Sequence, residues 1–250
     1  MSGPGILRFA PNCTALLLLE GYDTRRTQFR PSDLSEGLFV GEKELDKESA
    51  IEVYNVYMER LTTAERILAA ARGILDREGA AAVTMRSVAR QVKITPMAIY
   101  RHFPDREGLL DALANQGFAE LAAQLQQIAL PKGWEAKLLR MSDVHLDHAM
   151  AHPHLFNLMF LTRRPGARRY PQDFQARRSP TASLLMDELG AGMKAGVLRR
   201  GKPWEIALHL GALSHGLITL YLGDRIGTSP QGFRELYRTA FRTYFHGLLA

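Results

Sequence analysis

Three groups of side chains in this 250-residue chain have the types and spacing to do chemistry. The first is His145, His148 and His152, at i, i+3 and i+7, with Asp147 between them and His154 just beyond. On one helix these three imidazoles share a face, as the ligands of a helical metal-dependent hydrolase would. Against that reading, His152-Pro153 marks a helix end, where imidazoles cap or stay solvated. Asp147 also points away from the histidine face, so no base stands beside a bound metal. The second group is residues 84–103, where Arg86, Arg90, Lys93 and Arg101 occur without a single acid. That pattern suits a polyanion such as duplex DNA, although a solvated basic face would read the same way. The third is the connector 163–180, with Arg163, Arg164, Arg168, Arg169, Arg177 and Arg178 against one acid, Asp173. It reads first as a mobile, solvated loop, and second as a contact for an anionic ligand or a phosphate.

The composition is that of an ordinary soluble globular chain, with 46% hydrophobic, 23% charged and 8% aromatic residues. Collagenous, coiled-coil-only and wholly disordered chains are excluded. The single cysteine, Cys13, excludes an internal disulfide framework and a multi-cysteine zinc site. No apolar stretch is expected to span a bilayer, the run at 15–19 is too short for an export signal, and no membrane partner is expected. The cytoplasm is the expected compartment.

The net charge of +6 is unevenly placed: nine acidic and six basic residues leave −3 over 1–57 and therefore +9 over 58–250. The early part has no sustained helical period and is punctuated by Gly and Pro. Residues 1–60 are expected to be disordered, with a short helix near 51–60. Periodic, cappable sequence begins close to Met58, which makes Met58 a candidate start; the other reading of 1–57 is a dispensable arm.

From Thr63 onward the pattern is helical and no strand is expected. Ile67, Ala71, Ile74 and Leu75 form one stripe, closed by Gly79. Thr84 caps a short helix with Val88, Ala89 and Val92 on one side. Thr95-Pro96 opens another that carries Ile99 and Tyr100. Pro104 ends it, and Asp105 caps a longer helix bearing Leu109, Leu110, Leu113, Phe118, Leu121 and Leu125. Further helices are expected over 134–151, 154–161, 181–195, 204–222 and 231–248. A short helix after a tight turn at 92–94 can enter a major groove, presenting Thr95, Met97, Ala98 and Tyr100 first. Lys93, Tyr100 and His102 are placed for phosphate oxygens.

These residues resemble a known family. The pattern Ile67-Leu68-x-Ala70-Ala71, Gly79, Thr84, Val88-Ala89, Ile94-Thr95, Ile99-Tyr100-x-His102-Phe103 and Asp105-x-x-x-Leu109-Leu110 is similar to the N-terminal domain of TetR/AcrR-type transcriptional regulators. Lys93 stands where that turn usually has glycine or serine, and Pro96-Met97 replaces more common small residues. The resemblance implies an all-α fold: a three-helix helix-turn-helix domain over 61–121, and a helical effector-binding and dimerisation domain over 122–250. It implies a sequence-specific DNA-binding regulator, a repressor released by a small-molecule ligand, with no enzymatic activity and no cofactor. The expected DNA-contacting residues are Thr84, Arg86, Ser87, Lys93, Thr95, Pro96, Met97, Ala98, Tyr100, Arg101 and His102. The segment 211–217 resembles the Trp-His-Gly element of one effector-domain subgroup, with Ser214 in the tryptophan's place.

The second half supports this picture in its own residues. Leu210, Leu213, Leu217 and Leu220 recur at three- and four-residue steps, as do Phe233, Leu236, Tyr237, Ala240, Phe241, Tyr244, Phe245 and Leu248. Two such wide stripes suit a four-helix bundle with a second copy, so a homodimer through the last two helices is expected. Candidate pocket residues for the effector are Met141, His145, His148, Phe156, Met159, Phe160, Leu184, Leu185 and His209.

Overall fold

The structure is a computed structural model and describes residues 38–40, 43–45, 61–129 and 131–250. The expected helix at 51–60 and the alternatives for most of 1–57 lie outside the described residues. Within that stretch, strands β1 (Leu38–Val40) and β2 (Lys43–Leu45) pair antiparallel, with Phe39 opposite Glu44. Both strands precede Thr63, from where onward no strand is expected, and lie inside the segment expected to be disordered. The rest of the described chain is helical. It divides into two compact units between Leu109 and Leu110, short of the expected boundary at 121.

The first unit is built on α1 (Thr63–Glu78), α2 (Met85–Val92) and α3 (Pro96–Tyr100). Thr62 and Glu65 form a capping box that satisfies the first N–H groups of α1. The hydrogen bonds from Thr62 also hold the Glu65 carboxyl below its ordinary pKa. Gly79 leaves the helix at φ 79°, a backbone that L side chains rarely adopt. Ile67, Ala71, Ile74 and Leu75 are buried, as are Val83, Val88, Ala89, Val92 and Ile99. The start of α4 (Arg106–Gln127) belongs here: Asp105 caps it through the Gly108 N–H at 2.7 Å, and the Arg106 guanidinium donates to the Val83 carbonyl at 2.7 Å.

The second unit holds the rest of α4, α5 (Trp134–Ala151), α6 (Pro153–Phe156), α7 (Gln172–Gln175), α8 (Pro180–Lys194), α9 (Pro203–Leu222) and α10 (Pro230–His246). The helix of α6 widens into a π turn over Asn157–Leu161. One core gathers Leu138, Leu146, Phe156, Leu210, Ile218, Phe233, Tyr237, Phe241 and Phe245. A second gathers Met186, Leu189, Leu198 and Ala207. The buried Asp143 carboxylate is held by Arg238 through two hydrogen bonds, at 2.8 and 2.6 Å. By length and composition α9 could cross a membrane, which corrects the expectation that no stretch could. It packs within this unit through Ala207, Leu210, Ser214 and Ile218.

Candidate functional site

In the first unit the site is the rim formed by α2, the turn and α3. Thr84 opens α2: its hydroxyl accepts from the Ser87 N–H at 3.0 Å, and the Ser87 hydroxyl accepts from the Thr84 N–H at 2.9 Å. Ser87 also donates to the Ala82 carbonyl at 2.8 Å, so its hydroxyl is already committed to the cap. Lys93 closes α2 in the left-handed conformation, φ 60° and ψ 43°, and the Ile94 N–H returns to the Ala89 carbonyl. Thr95 then caps α3 through the Ala98 N–H, with Pro96 at the first helical position.

These caps fix what faces out. Val88, Ala89, Val92 and Ile99 are buried, while Arg86, Arg90, Lys93, Thr95, Pro96, Arg101 and His102 are exposed. Met97 is 70% and Tyr100 47% exposed, unusual for side chains this apolar. Thr84 is exposed too, and Ser87 and Ala98 are half-buried. Among the described residues none of Arg86, Arg90, Lys93 and Arg101 forms an ion pair with a carboxylate. A cationic rim left uncompensated, with apolar and hydroxyl groups at the head of a short helix, is chemically suited to phosphates and base edges.

The second unit contains a partly open cavity of about 410 Å³. Of the expected pocket residues, Met141, His145, Met159, Phe160 and Leu185 line it. The others do not. Phe156 is spent in the core, and His148 is buried, its ring centroid 5.2 Å from that of His152. Leu184 does not line it, and His209 lies on the exposed side of α9 with its Nδ1 3.0 Å from the Tyr244 hydroxyl. Sequence reasoning missed Phe118, Arg168, Tyr170, Phe174, Leu210, Gly211, His215 and Tyr237, which also line the space. The signal for Arg168 and its neighbours was present in the arginine run.

That connector is not a loose loop. Arg164 is 5% exposed and donates to the Leu158 carbonyl at 2.9 Å and the Met159 carbonyl at 3.2 Å, acceptors that the end of the π turn leaves over. It also pairs with Asp111. Arg177 pairs with Asp187, and Arg178 with Asp173 at 3.0 Å. The loop is thus riveted down as one wall of the cavity.

The histidines separate in the same way. Burial, with the neighbouring His215 and His148 acting in the same sense, holds His145 well below its ordinary pKa, and burial alone takes His215 down to about 4. Both rings are therefore neutral near pH 7, packed against Phe160 with centroids 5.3 and 4.3 Å away. Asp147 is engaged by Arg234. Among the described residues no three His, Cys, Asp or Glu side chains come together to hold a metal ion, so the hydrolase reading of His145, His148 and His152 gains no support.

A helix-turn-helix rim and an all-helical unit around an apolar cavity define a DNA-binding transcriptional regulator. Residues 67–113 match the family model described as bacterial regulatory proteins, tetR family, and residues 138–244 match a Tetracyclin repressor-like C-terminal domain. The chain belongs to the TetR family of transcriptional regulators. It is 27% identical over 180 residues to an uncharacterized HTH-type transcriptional regulator, YvkB, of Bacillus subtilis, covering 68% of this chain and 89% of that one. A protein of unknown function from Rhodococcus sp. RHA1 shares the structure at a TM-score of 0.64 and 28% identity, over 76% of this chain and 97% of that one. A TetR-family regulator from Pectobacterium atrosepticum shares the fold at a TM-score of 0.57 and 22% identity, over 78% and 97%.

Proposed function

We propose that the chain acts as a homodimeric repressor that leaves its operator when a small molecule fills the cavity of the second unit. The observation that carries the DNA-binding part is the basic rim, without ion pairs among the described residues, that flanks the exposed head of α3. Thr95, Pro96, Met97 and Ala98 meet base edges, while Thr84, Arg86, Lys93, Tyr100, Arg101 and His102 meet the phosphate backbone. Ser87 acts by holding the cap that orients Arg86. Two copies joined through α9 and α10 set their α3 helices about 34–36 Å apart, one turn of DNA, on a near-palindromic site. A ligand that binds better to a form with another spacing lowers operator affinity by population shift.

Selection of genomic fragments by the purified protein, followed by gel shifts on the enriched site, tests this. Arg86→Ala and Tyr100→Ala each weaken binding, and unchanged affinity in both overturns the docking. Transcription from the bound promoter rises when the regulator is deleted; a fall overturns repression.

A further inference from the structure

The cavity wall carries an imbalance of charge. Among the described side chains that line the space, Arg168 alone is charged near pH 7, since His145 and His215 are held neutral. Two carboxylates lie close to it, and both are already used. Asp111 takes Arg164 and the Gly166 N–H at 3.0 Å, and Asp173 takes Arg178 at 3.0 Å and the Arg169 N–H at 2.6 Å. Three guanidinium groups and two carboxylates leave one positive charge over, and it sits on Arg168.

Its own hydrogen bonds go to neutral acceptors. Nη2 donates to the Asn115 side-chain oxygen at 2.9 Å and Nε to the Arg178 carbonyl at 3.3 Å. Nη1 is enclosed and has no hydrogen-bond partner among the described residues, although an arginine N–H taken from water normally finds one. The guanidinium lies 4.6 Å from the centre of the Phe118 ring, which meets Phe160 edge to face at 5.2 Å. A cationic ligand would face this arginine with no carboxylate to offset it, and a neutral one would leave the charge unanswered. The remaining wall is largely apolar and aromatic, and about 410 Å³ is within the ~300–1,000 Å³ of small-molecule sites.

Resting on the effector role proposed for this cavity, we propose that its ligand is an aromatic carboxylate, its ring seated among Phe118, Met159 and Phe160 and its carboxylate paired with Arg168. A turn of the guanidinium presents Nη1 to the space that its side chain already lines. The bond is charge-assisted and forms beside a half-buried guanidinium.

The test uses the full-length protein and three probes of one shape, 2-naphthoate, 2-naphthamide and 2-naphthylmethylammonium, with affinities read by calorimetry. The carboxylate binds at least about tenfold more tightly than the other two, the scale of one hydrogen bond to a charged group. Arg168→Gln erases that preference and Arg168→Lys keeps part of it, both with the melting temperature and circular dichroism of a folded chain. Absence of 2-naphthoate binding, equal binding of all three probes, or a preference that survives Arg168→Gln overturns the proposal. Two cavity-filling variants, Gly211→Phe and independently Ala182→Phe, separate the two levels of inference. Tight amide binding that these variants abolish keeps the effector cavity and removes the carboxylate. Carboxylate binding that neither variant touches removes the cavity as the site, and the proposal with it.

Discussion

Lys93 is a residue with two opposed duties. Its backbone is left-handed, which costs an L side chain ~1–2 kcal/mol, while its ammonium group is exposed at the rim. Lys93→Gly should therefore stabilise the protein by about 0.5–1 kcal/mol, after glycine's own entropy cost, and raise the melting temperature. The same change should weaken operator binding and flatten the slope of log affinity against log salt by about 1.8, one phosphate contact from each of the two subunits. A melting temperature and an affinity that fall together would assign the residue to folding alone. The sequence marked Lys93 as the odd residue of the turn, because its neighbours fix where the turn is. The rim residues were legible for the same local reason: caps and apolar spacing decide which side of a short helix is buried. His215 was noticed only as part of a weak motif, since its environment is assembled from α5, the π turn and α9. Burial takes its pKa down to about 4, against about 6.5 in the unfolded chain. Between those values the unfolded chain binds the extra proton, so stability is lost as pH falls from about 6.5 towards 4 and levels off below. His145 shifts in the same direction and adds to the loss. His215→Phe should shallow the fall of melting temperature over that window, and a profile as steep as the parent's would count against it.

At the scale of elements, helix existence was readable, and the starts at Trp134 and Pro96 were read in place while four others were read one residue late. The expected starts at 154, 181, 204 and 231 follow Pro153, Pro180, Pro203 and Pro230, each of which is the first residue of its helix. Proline lacks an N–H, but the first turn has no intrahelical use for one, so it belongs inside. The π turn and α7 were not legible, because the carbonyls at the end of the π turn are satisfied by Arg164, from a connector whose composition suggested solvent. Gly192 shows how close the elements come. A Cβ there would lie 2.1 Å from the Trp134 ring, so α8 packs over the start of α5 only because the side chain is absent. Gly192→Ala should cost about 1–3 kcal/mol, as overpacking of a filled core does, and lower the denaturation midpoint. Trp134→Leu in the same chain should recover part of that loss; full additivity of the two changes would show that the ring is not the obstacle.

At the scale of the whole molecule, the surface of α9 and α10 does what a lone subunit's surface rarely does. His209, Ala212, Gly216 and Leu220 form an exposed row on α9 at three- and four-residue steps, with Leu220 47% exposed, and Leu236 on α10 is 41% exposed. Small residues along such a row let two helices approach closely, and exposed leucines beside them add apolar area to bury. The pattern explains why α9 is apolar enough to pass for a membrane span while much of it is uncovered in one subunit. It also separates dimerisation from folding, because Leu220 is not part of either buried core. Leu220→Glu should therefore leave the helical content and the melting transition in place while each subunit, now carrying a charge on the face that would meet its copy, sediments as a monomer. On the docking proposed above, two α3 helices hold a near-palindromic operator at once, so a monomer should keep only one half-site's contacts and show roughly half the steep salt dependence of the pair. Sedimentation and gel shifts on the same preparation read both consequences. A variant that remains a dimer moves the subunit contact elsewhere. A monomer that binds the full operator as tightly as the parent removes the paired geometry from the account of DNA recognition.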